Sequence, residues 1–111
     1  MSYNVIPIDK FKKEAKHLIK KYPSFKMEFA ELSMFLISNP SAGTPLGNNA
    51  YKIRISIKSK KTEKSGGARI ITYLVTEDKE IYLLTIYDKS ELESIDDRSL
   101  RKIIKSIREA Q

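Results

Sequence analysis

The feature that most constrains the fold of this chain is a succession of three strand-like segments in its second half. The segments are rich in β-branched and aromatic residues, and charged or glycine-bearing stretches separate them. In the first segment isoleucines alternate with basic and polar residues, so the two sets lie on opposite faces of a strand. This pattern predicts a sheet with a core on one face and cations on the other, a surface suited to an anion. The segments span residues 51–58, 68–75 and 81–87.

The beginning and the end of the chain supply the other predicted elements. Residues 3–8 are predicted to form a short strand, which Pro7 restricts to an edge position or a strand end. Apolar residues at helical spacing then predict two helices that form a hairpin, and a third helix near the end of the chain. The order of elements is therefore β-α-α-β-β-β-α, in one α+β domain that covers residues 1–111.

Polar residues mark the predicted helix starts and the connections. Asp9, Ser24 and either Asp96 or Asp97 are the predicted N-caps, since their side chains can accept hydrogen bonds from the first free amides. Residues 39–49 are rich in Pro, Gly, Ser and Asn, which predicts a turn-rich loop that returns the chain to the sheet.

The second predicted helix has two apolar stripes. A helix that is apolar on two sides usually has two neighbours. Both neighbours could lie within the chain, as the first helix and the sheet, or one could be a partner protein. The first stripe is Phe25, Phe29, Leu32 and Leu36, and the second is Met27, Ala30, Met34 and Ile37.

The positive charge of the chain is concentrated in its middle. The net charge is +7, from 21 basic and 14 acidic residues. Between Lys52 and Arg69, however, Glu63 is the only acid among many bases. This distribution favours an anion-binding function over a merely solvated loop. The basic residues of the block are Lys52, Arg54, Lys58, Lys60, Lys61, Lys64 and Arg69.

The composition also limits the chemistry that the chain can perform. There are no cysteines and one histidine, His17, which argues against disulfides, thiolate metal sites and histidine metal clusters. Because His17 lies beside lysines, we expect it at the surface. No apolar run reaches the length of about 18 residues that a membrane span needs, and the start of the chain lacks a signal-peptide pattern. We therefore expect a cytoplasmic protein without a metal or cofactor.

Three motifs carry a resemblance to a known family. They read YKIRI at residues 51–55, KSGGARII at residues 64–71 and YLLTIYDK at residues 82–89. With the order of elements, they resemble the RelE/HigB/ParE superfamily of toxins from type II toxin–antitoxin systems, and the HigB-like branch most closely. The resemblance implies a RelE-like fold, with a twisted antiparallel sheet and the helical hairpin on one of its faces.

The resemblance also implies a function and partners. Members of the RelE and HigB kind are metal-independent endoribonucleases, or mRNA interferases, which inhibit translation by cleaving mRNA in the A site of the ribosome. A cognate antitoxin encoded beside the toxin neutralises it. The implied partners are thus an antitoxin protein and the ribosome with its A-site mRNA, with no membrane and no small-molecule cofactor.

Some site residues of the family can be placed on this sequence. Lys52 and Arg54 match the basic pair on the first of the three consecutive strands. Arg69 matches the arginine that opens the next strand, and Lys89 falls where members have a basic residue after the last strand. The chain departs from the family further on. RelE itself has a catalytic tyrosine where residues 94–96 read Ser-Ile-Asp, and the histidine of HigB relatives is missing from this block.

The chemistry of RNA cleavage assigns roles to these residue types. The 2′-hydroxyl of RNA can attack the adjacent phosphate, given a base at the 2′-oxygen, cations on the phosphorane oxygens and an acid at the leaving oxygen. Arginine suits the phosphate because its guanidinium is planar, bidentate and always charged. Tyr87 could donate a proton or stack on a base, and Lys52, Lys58 or Lys89 could be the base. The predicted catalytic residues are Arg54, Arg69, Tyr87 and Lys89, and the predicted RNA-binding residues are Lys52, Lys58, Lys60, Lys61 and Lys64.

The residues leave other interpretations open. Tyr87 could be a core aromatic with its hydroxyl at the rim, and Arg54 could form an ion pair on the sheet face. Two other functional classes also fit a chain of this kind. One is a ParE-like toxin that inhibits DNA gyrase, and the other is a non-catalytic RNA-binding module.

Overall fold

The computed structural model describes residues 3–57, 67–89 and 94–110. Three helices and five strands form in these ranges. The strands lie in one sheet with the order β1-β5-β4-β3-β2. The elements are β1 (Asn4–Pro7), α1 (Asp9–Lys21), α2 (Phe25–Ser38), β2 (Thr44–Gly47), β3 (Ala50–Ile55), β4 (Ala68–Val75), β5 (Glu80–Asp88) and α3 (Asp97–Ala110).

The predicted α+β fold is confirmed, with a mixed sheet. Strands β2 to β5 pair antiparallel with their neighbours in sequence, as in a meander. Strand β1 instead runs parallel to β5, from Asn4 opposite Glu80 to Pro7 opposite Leu83. β1 lies at the edge of the sheet, as Pro7 required.

The prediction of a turn-rich loop over all of residues 39–49 was wrong, because Thr44–Gly47 form β2. An edge position tolerates Pro45, whose nitrogen cannot donate to a ladder. Asn48 and Asn49 connect β2 to β3, with φ of 56° and 62°. A two-residue turn with positive φ at both positions is typical of a tight hairpin, and asparagine tolerates it well.

The helical hairpin packs on one face of the sheet, as predicted. Phe11 of α1 and Phe25 of α2 are buried there, and both lie against Phe29 at ring-centroid distances of 5.5 and 5.9 Å. From the strands, Ile53 and Ile70 belong to the same cluster. The alternation of isoleucines in β3 therefore predicted the inner face of that strand correctly.

The opposite face of the sheet is not purely cationic, since α3 packs on it. Leu100, Ile104 and Ile107 of α3 form a second core with residues of β3, β4 and β5. The neighbours Ile70 and Ile71 belong to different cores, as expected when successive side chains point to opposite faces. The expectation of a core on one face alone was thus wrong, because α3 needs a surface against which to bury its apolar side. The second core contains Ala50, Ile71, Tyr73, Leu84, Tyr87, Leu100, Ile104 and Ile107.

Two of the predicted helix caps differ in the structure. Ile8, not Asp9, occupies the N-cap position of α1, because the amide of Ile8 still donates to Leu83 of the sheet at 3.1 Å. Ser24 occupies the N-cap position of α2, but its hydroxyl donates to the carboxylate of Glu28 at 3.2 Å instead of capping the backbone. Asp96 caps α3 as predicted, accepting from the amide of Ser99 at 3.0 Å.

Candidate anion-binding site

Within the described ranges, four basic side chains from three parts of the chain line one cleft, which we call the cationic cleft. It lies where β3 ends and β4 begins, and its volume is about 440 Å³. The strand register explains how the side chains meet. Arg54 lies directly opposite Arg69, and Arg69 lies opposite Tyr87, two residues before Lys89. The cleft is lined by Thr44, Lys52, Arg54, Arg69 and Lys89.

Among the residues that the structure describes, no carboxylate lines the cationic cleft. Arg69 is 6% exposed and donates to its neighbouring carbonyl, that of Ala68, at 3.2 Å. The exposed Arg54 is its direct cross-strand partner, and like charges in such a pair repel. A nearly buried guanidinium beside another cation is stabilised by an anion. The geometry thus favours an oxyanion such as a phosphate in this cleft.

The one acid next to Lys89 in sequence faces away from the cleft. Asp88 is buried, and its carboxylate accepts a hydrogen bond from the hydroxyl of Tyr22 at 3.3 Å. Tyr22 packs against the core beneath the helical hairpin, on the other face of the sheet. The alternation of side chains at the end of β5 therefore separates the carboxylate from the four cations.

Gly67 positions the start of β4 against β3. Its φ is +82°, and a Cβ atom at this position would lie 2.3 Å from the carbonyl oxygen of Ile55. The carbonyl of Gly67 also accepts from the amide of Lys89 at 3.3 Å. Glycine at this position therefore permits the close approach of β3, and so ties Arg69 and Lys89 to one end of the sheet.

Helix α1 holds the end of β5 on its other side. β5 continues past the last residue of β1, so none of the strands that the structure describes pairs with this part of its edge. The carboxylate of Glu14 accepts from the amide of Ile86 at 3.2 Å and from the hydroxyl of Thr85 at 2.8 Å. These contacts fix the segment that ends in Lys89.

Tyr87 does not line the cationic cleft. It lies opposite Arg69 in the strand register, but it is 9% exposed and belongs to the core beneath α3. Its hydroxyl is buried and makes no hydrogen bond within the part of the chain that the structure describes. Tyr87 lines a different cavity, of about 360 Å³, together with the exposed His17 of α1. Its position fits the core-aromatic interpretation that the sequence left open.

Of the predicted RNA-binding residues, one lies in the described ranges and the other four lie outside them. Lys52 lies in the cationic cleft, opposite Thr44 of β2. Thr44 is a lining residue that the sequence did not indicate, because its segment was predicted to be a loop. A possible signal was the Asn48–Asn49 pair, which suits a two-residue hairpin turn. The predicted RNA-binding residues Lys58, Lys60, Lys61 and Lys64 lie outside the described residues.

A second cleft on the α3 side of the sheet is more mixed in charge. It has a volume of about 670 Å³ and contains Tyr73, Lys105 and Arg108, but also Glu109. Arg101 lines it too and is hydrogen-bonded to Asp97 one helical turn earlier. The cationic cleft is therefore the stronger candidate for an anion.

No protein-family model matches the sequence. The fold is similar to that of Escherichia coli toxin RelE in the free state, solved as a double arginine-to-alanine mutant. The TM-score is 0.61 and the identity 16%, over 84% of this chain and 90% of that chain. The chain has a RelE-like fold. The RelE-like fold confirms the architecture that the three sequence motifs implied, while the assignment to the HigB-like branch stays a prediction.

The described residues offer no obvious metal site. They include no group of three or more His, Asp or Glu side chains suitably placed for a metal ion. Within the same ranges, no helix has the length and apolar character needed to cross a membrane.

Proposed function

We propose that this protein is the toxin of a type II toxin–antitoxin system and acts as a ribosome-dependent mRNA endonuclease, of the HigB-like kind. One observation carries the proposal: Lys52, Arg54, Arg69 and Lys89 meet in one cleft that no carboxylate of the described residues lines, on a RelE-like fold. A scissile phosphate is the ligand that best matches this set, because arginine pairs with phosphate oxygens in a bidentate manner.

The proposed reaction uses the RNA's own 2′-hydroxyl as the nucleophile. The 2′-oxygen forms a bond to the adjacent phosphorus, and the bond from phosphorus to the 5′-oxygen of the next nucleotide breaks. A base takes the proton of the 2′-hydroxyl, and an acid supplies a proton to the leaving 5′-oxygen. The products are a 2′,3′-cyclic phosphate and a free 5′-hydroxyl.

The residues of the cleft divide these tasks by their chemistry. Arg54 and Arg69 stabilise the additional negative charge on the phosphorane oxygens, which is largest in the transition state. Lys52 and Lys89 flank them and can bind phosphate or exchange a proton with the reacting oxygens. Tyr87 is not required for this scheme, since it does not line the cleft. The four lysines between residues 58 and 64 are proposed to extend the contact along the RNA backbone.

The proposal is tested by the substitution Arg69→Ala in a translation assay. Loss of one preorganised charge partner at a reaction centre typically lowers the rate about 10²–10³-fold. Cleavage of ribosome-bound mRNA and growth arrest should fall accordingly, and Lys12→Ala on the exposed face of α1 should retain both. Circular dichroism of the two variants establishes that the fold survives.

The products and the target distinguish this function from its alternatives. Cleaved mRNA should carry a 2′,3′-cyclic phosphate at the new end, and the cuts should fall at one codon position. Inhibition of gyrase supercoiling without mRNA cleavage would instead indicate a ParE-like toxin. RNA binding without either effect would indicate a non-catalytic module.

We also propose that a cognate antitoxin neutralises the toxin by placing an acidic segment over the cationic cleft. Carboxylates would then compete with RNA phosphates for Arg54 and Arg69, so inhibition would be direct. Hydrogen exchange with and without the product of the neighbouring gene tests this arrangement. Protection of residues 51–57 and 68–75 is expected, whereas protection restricted to residues 10–38 would show that the antitoxin acts from the helical hairpin.

A further inference from the structure

The outer face of α2 is apolar and uncovered. Met27 is 71% exposed, Met34 74%, Phe35 52% and Ile37 37%. Together with the exposed Ala30, three of these residues form a stripe along the helix, at positions 27, 30, 34 and 37. A contiguous apolar patch of this kind on a small domain usually marks an interface.

We propose that this stripe is the contact between two copies of the chain, with their α2 helices packed antiparallel about a two-fold axis. The shape and the charges of α2 support this occupant. In a two-fold contact centred on Leu32, Met27 of one copy lies against Ile37 of the other, and Ala30 lies against Met34. Such a contact is self-complementary, because residue i of one copy meets residue j of the other and the reverse.

The shape of the α2 surface fits the same arrangement. A groove of about 490 Å³ lies along the first half of α2 and is lined by residues that include Lys26, Met27 and Ala30. In the antiparallel register, Met34 and Ile37 of the second copy lie over the groove of the first. Met34 and Ile37 of the first copy lie over the groove of the second in the same way. Ala30 is small and faces Met34 of the second copy, which allows the two helices to approach closely.

The charges at the rim of the stripe favour a second copy over an acidic partner. The last turn of α2 contains no basic residue, so its C-terminal carbonyls lack a nearby cation from their own helix. In the two-fold arrangement, the exposed Lys26 of one copy lies beside the C-terminal end of α2 in the other. Each copy thus complements the helix dipole of its partner. An acidic segment would meet both Lys26 and the acidic Glu31 at this rim and gain little net attraction.

The dimer leaves the cationic cleft accessible. α2 packs on one face of the sheet, and Arg54 and Arg69 project from the other, so both clefts point away from the two-fold axis. The proposed dimer can therefore form whatever ligand the cationic cleft binds. A contact through one helix buries less than the roughly 800 Å² per partner of a standard interface, so we expect a weak, reversible dimer.

Sedimentation equilibrium of the purified chain over a series of concentrations tests the dimer. Met34→Glu should raise the dissociation constant more than about tenfold, because it places a charge at the centre of the contact. Ser106→Glu changes the charge by the same amount on the exposed face of α3 and should leave the constant unchanged. Since each copy has a net charge of +7, added salt should strengthen the dimer by screening repulsion. A chain that stays monomeric throughout, or equal effects of the two variants, would overturn the proposal.

The antiparallel register has a separate test, because the chain has no cysteine of its own. The single variants Ala30→Cys and Met34→Cys should form a disulfide-linked dimer efficiently when they are mixed and oxidised. Each variant alone should form far less, since neither position faces itself across the axis. Equal cross-linking in all three samples, or none in the mixture, would exclude this packing.

Discussion

Helices α2 and α3 have the same length, 14 residues each, and lie on opposite faces of one sheet, yet they use their apolar residues differently. α3 has a single apolar side, and the sheet buries Leu100, Ile104 and Ile107 from it. α2 is apolar on two sides, and the fold buries one of them, with Phe25 and Leu36 fully covered. The difference shows that apolar content alone does not predict burial. A side chain is buried only where the chain supplies a surface opposite it.

The largest loss of stability is expected when a leucine is truncated on the buried side of either helix, and the two losses should be similar. Leu100→Ala in α3 and Leu36→Ala in α2 remove side chains that are 2% and 0% exposed. Each should lower the free energy of unfolding by about 2–5 kcal/mol, the range for leucine truncation in a core. Urea denaturation followed by circular dichroism measures both values. If Leu36→Ala cost far less than Leu100→Ala, the inner side of α2 would not be the core that the structure shows.

A substitution on the exposed side of α2 should lower stability less than one on its buried side. Met34→Ala truncates a side chain that is 74% exposed, and alanine keeps the helix propensity high. The free energy of unfolding should change by no more than about 0.5 kcal/mol, as for other surface substitutions. The free energy of unfolding is measured at protein concentrations too low for self-association, and Leu36→Ala is the reference variant. A loss comparable with that of Leu36→Ala would show that Met34 is buried within the monomer.

The smallest effect is a difference between the N-caps of α2 and α3 in how their contributions to stability depend on pH. Hydrogen bonds from the hydroxyl and the amide of Ser99 hold the pKa of Asp96 below its usual 3.8. The folded state thus favours the charged carboxylate, so its contribution to stability is present above the unfolded pKa. This contribution is lost as the pH falls through the lower pKa of the folded state. Ser24 at the start of α2 does not titrate in this range, so α2 has no corresponding step at its N-cap.

The variant Asp96→Asn isolates this contribution. Its stability should be lower than that of the wild type at neutral pH, and the difference should shrink as Asp96 becomes protonated in acid. Asp78→Asn, in the exposed turn before β5, removes the same charge away from any helix start and serves as the control. A difference between wild type and Asp96→Asn that stays constant down to acid pH would show that the carboxylate charge does not stabilise α3.

Local sequence patterns predicted much of the fold but less of the cationic cleft. The alternation in β3 was enough to predict that Ile53 faces inward and Arg54 outward, because the period of a strand fixes the side of every residue. The short β2 was missed, because a four-residue strand containing Pro45 and Gly47 lacks the strand pattern and exists through its pairing with β3. The missed strand also hid Thr44 as part of the cleft.

The sequence by itself determined the number and type of most elements, the inward face of β3 and the cationic character of the segment around Arg54 and Arg69. These are local properties, set by side-chain periodicity and charge. Only the tertiary structure decided that Arg54 and Arg69 are direct partners, that Lys89 joins them while Asp88 faces away, and that the second stripe of α2 stays uncovered. Each of these facts depends on strand register or on which surfaces meet. Register and contact join residues far apart in the chain, so no local pattern contains them.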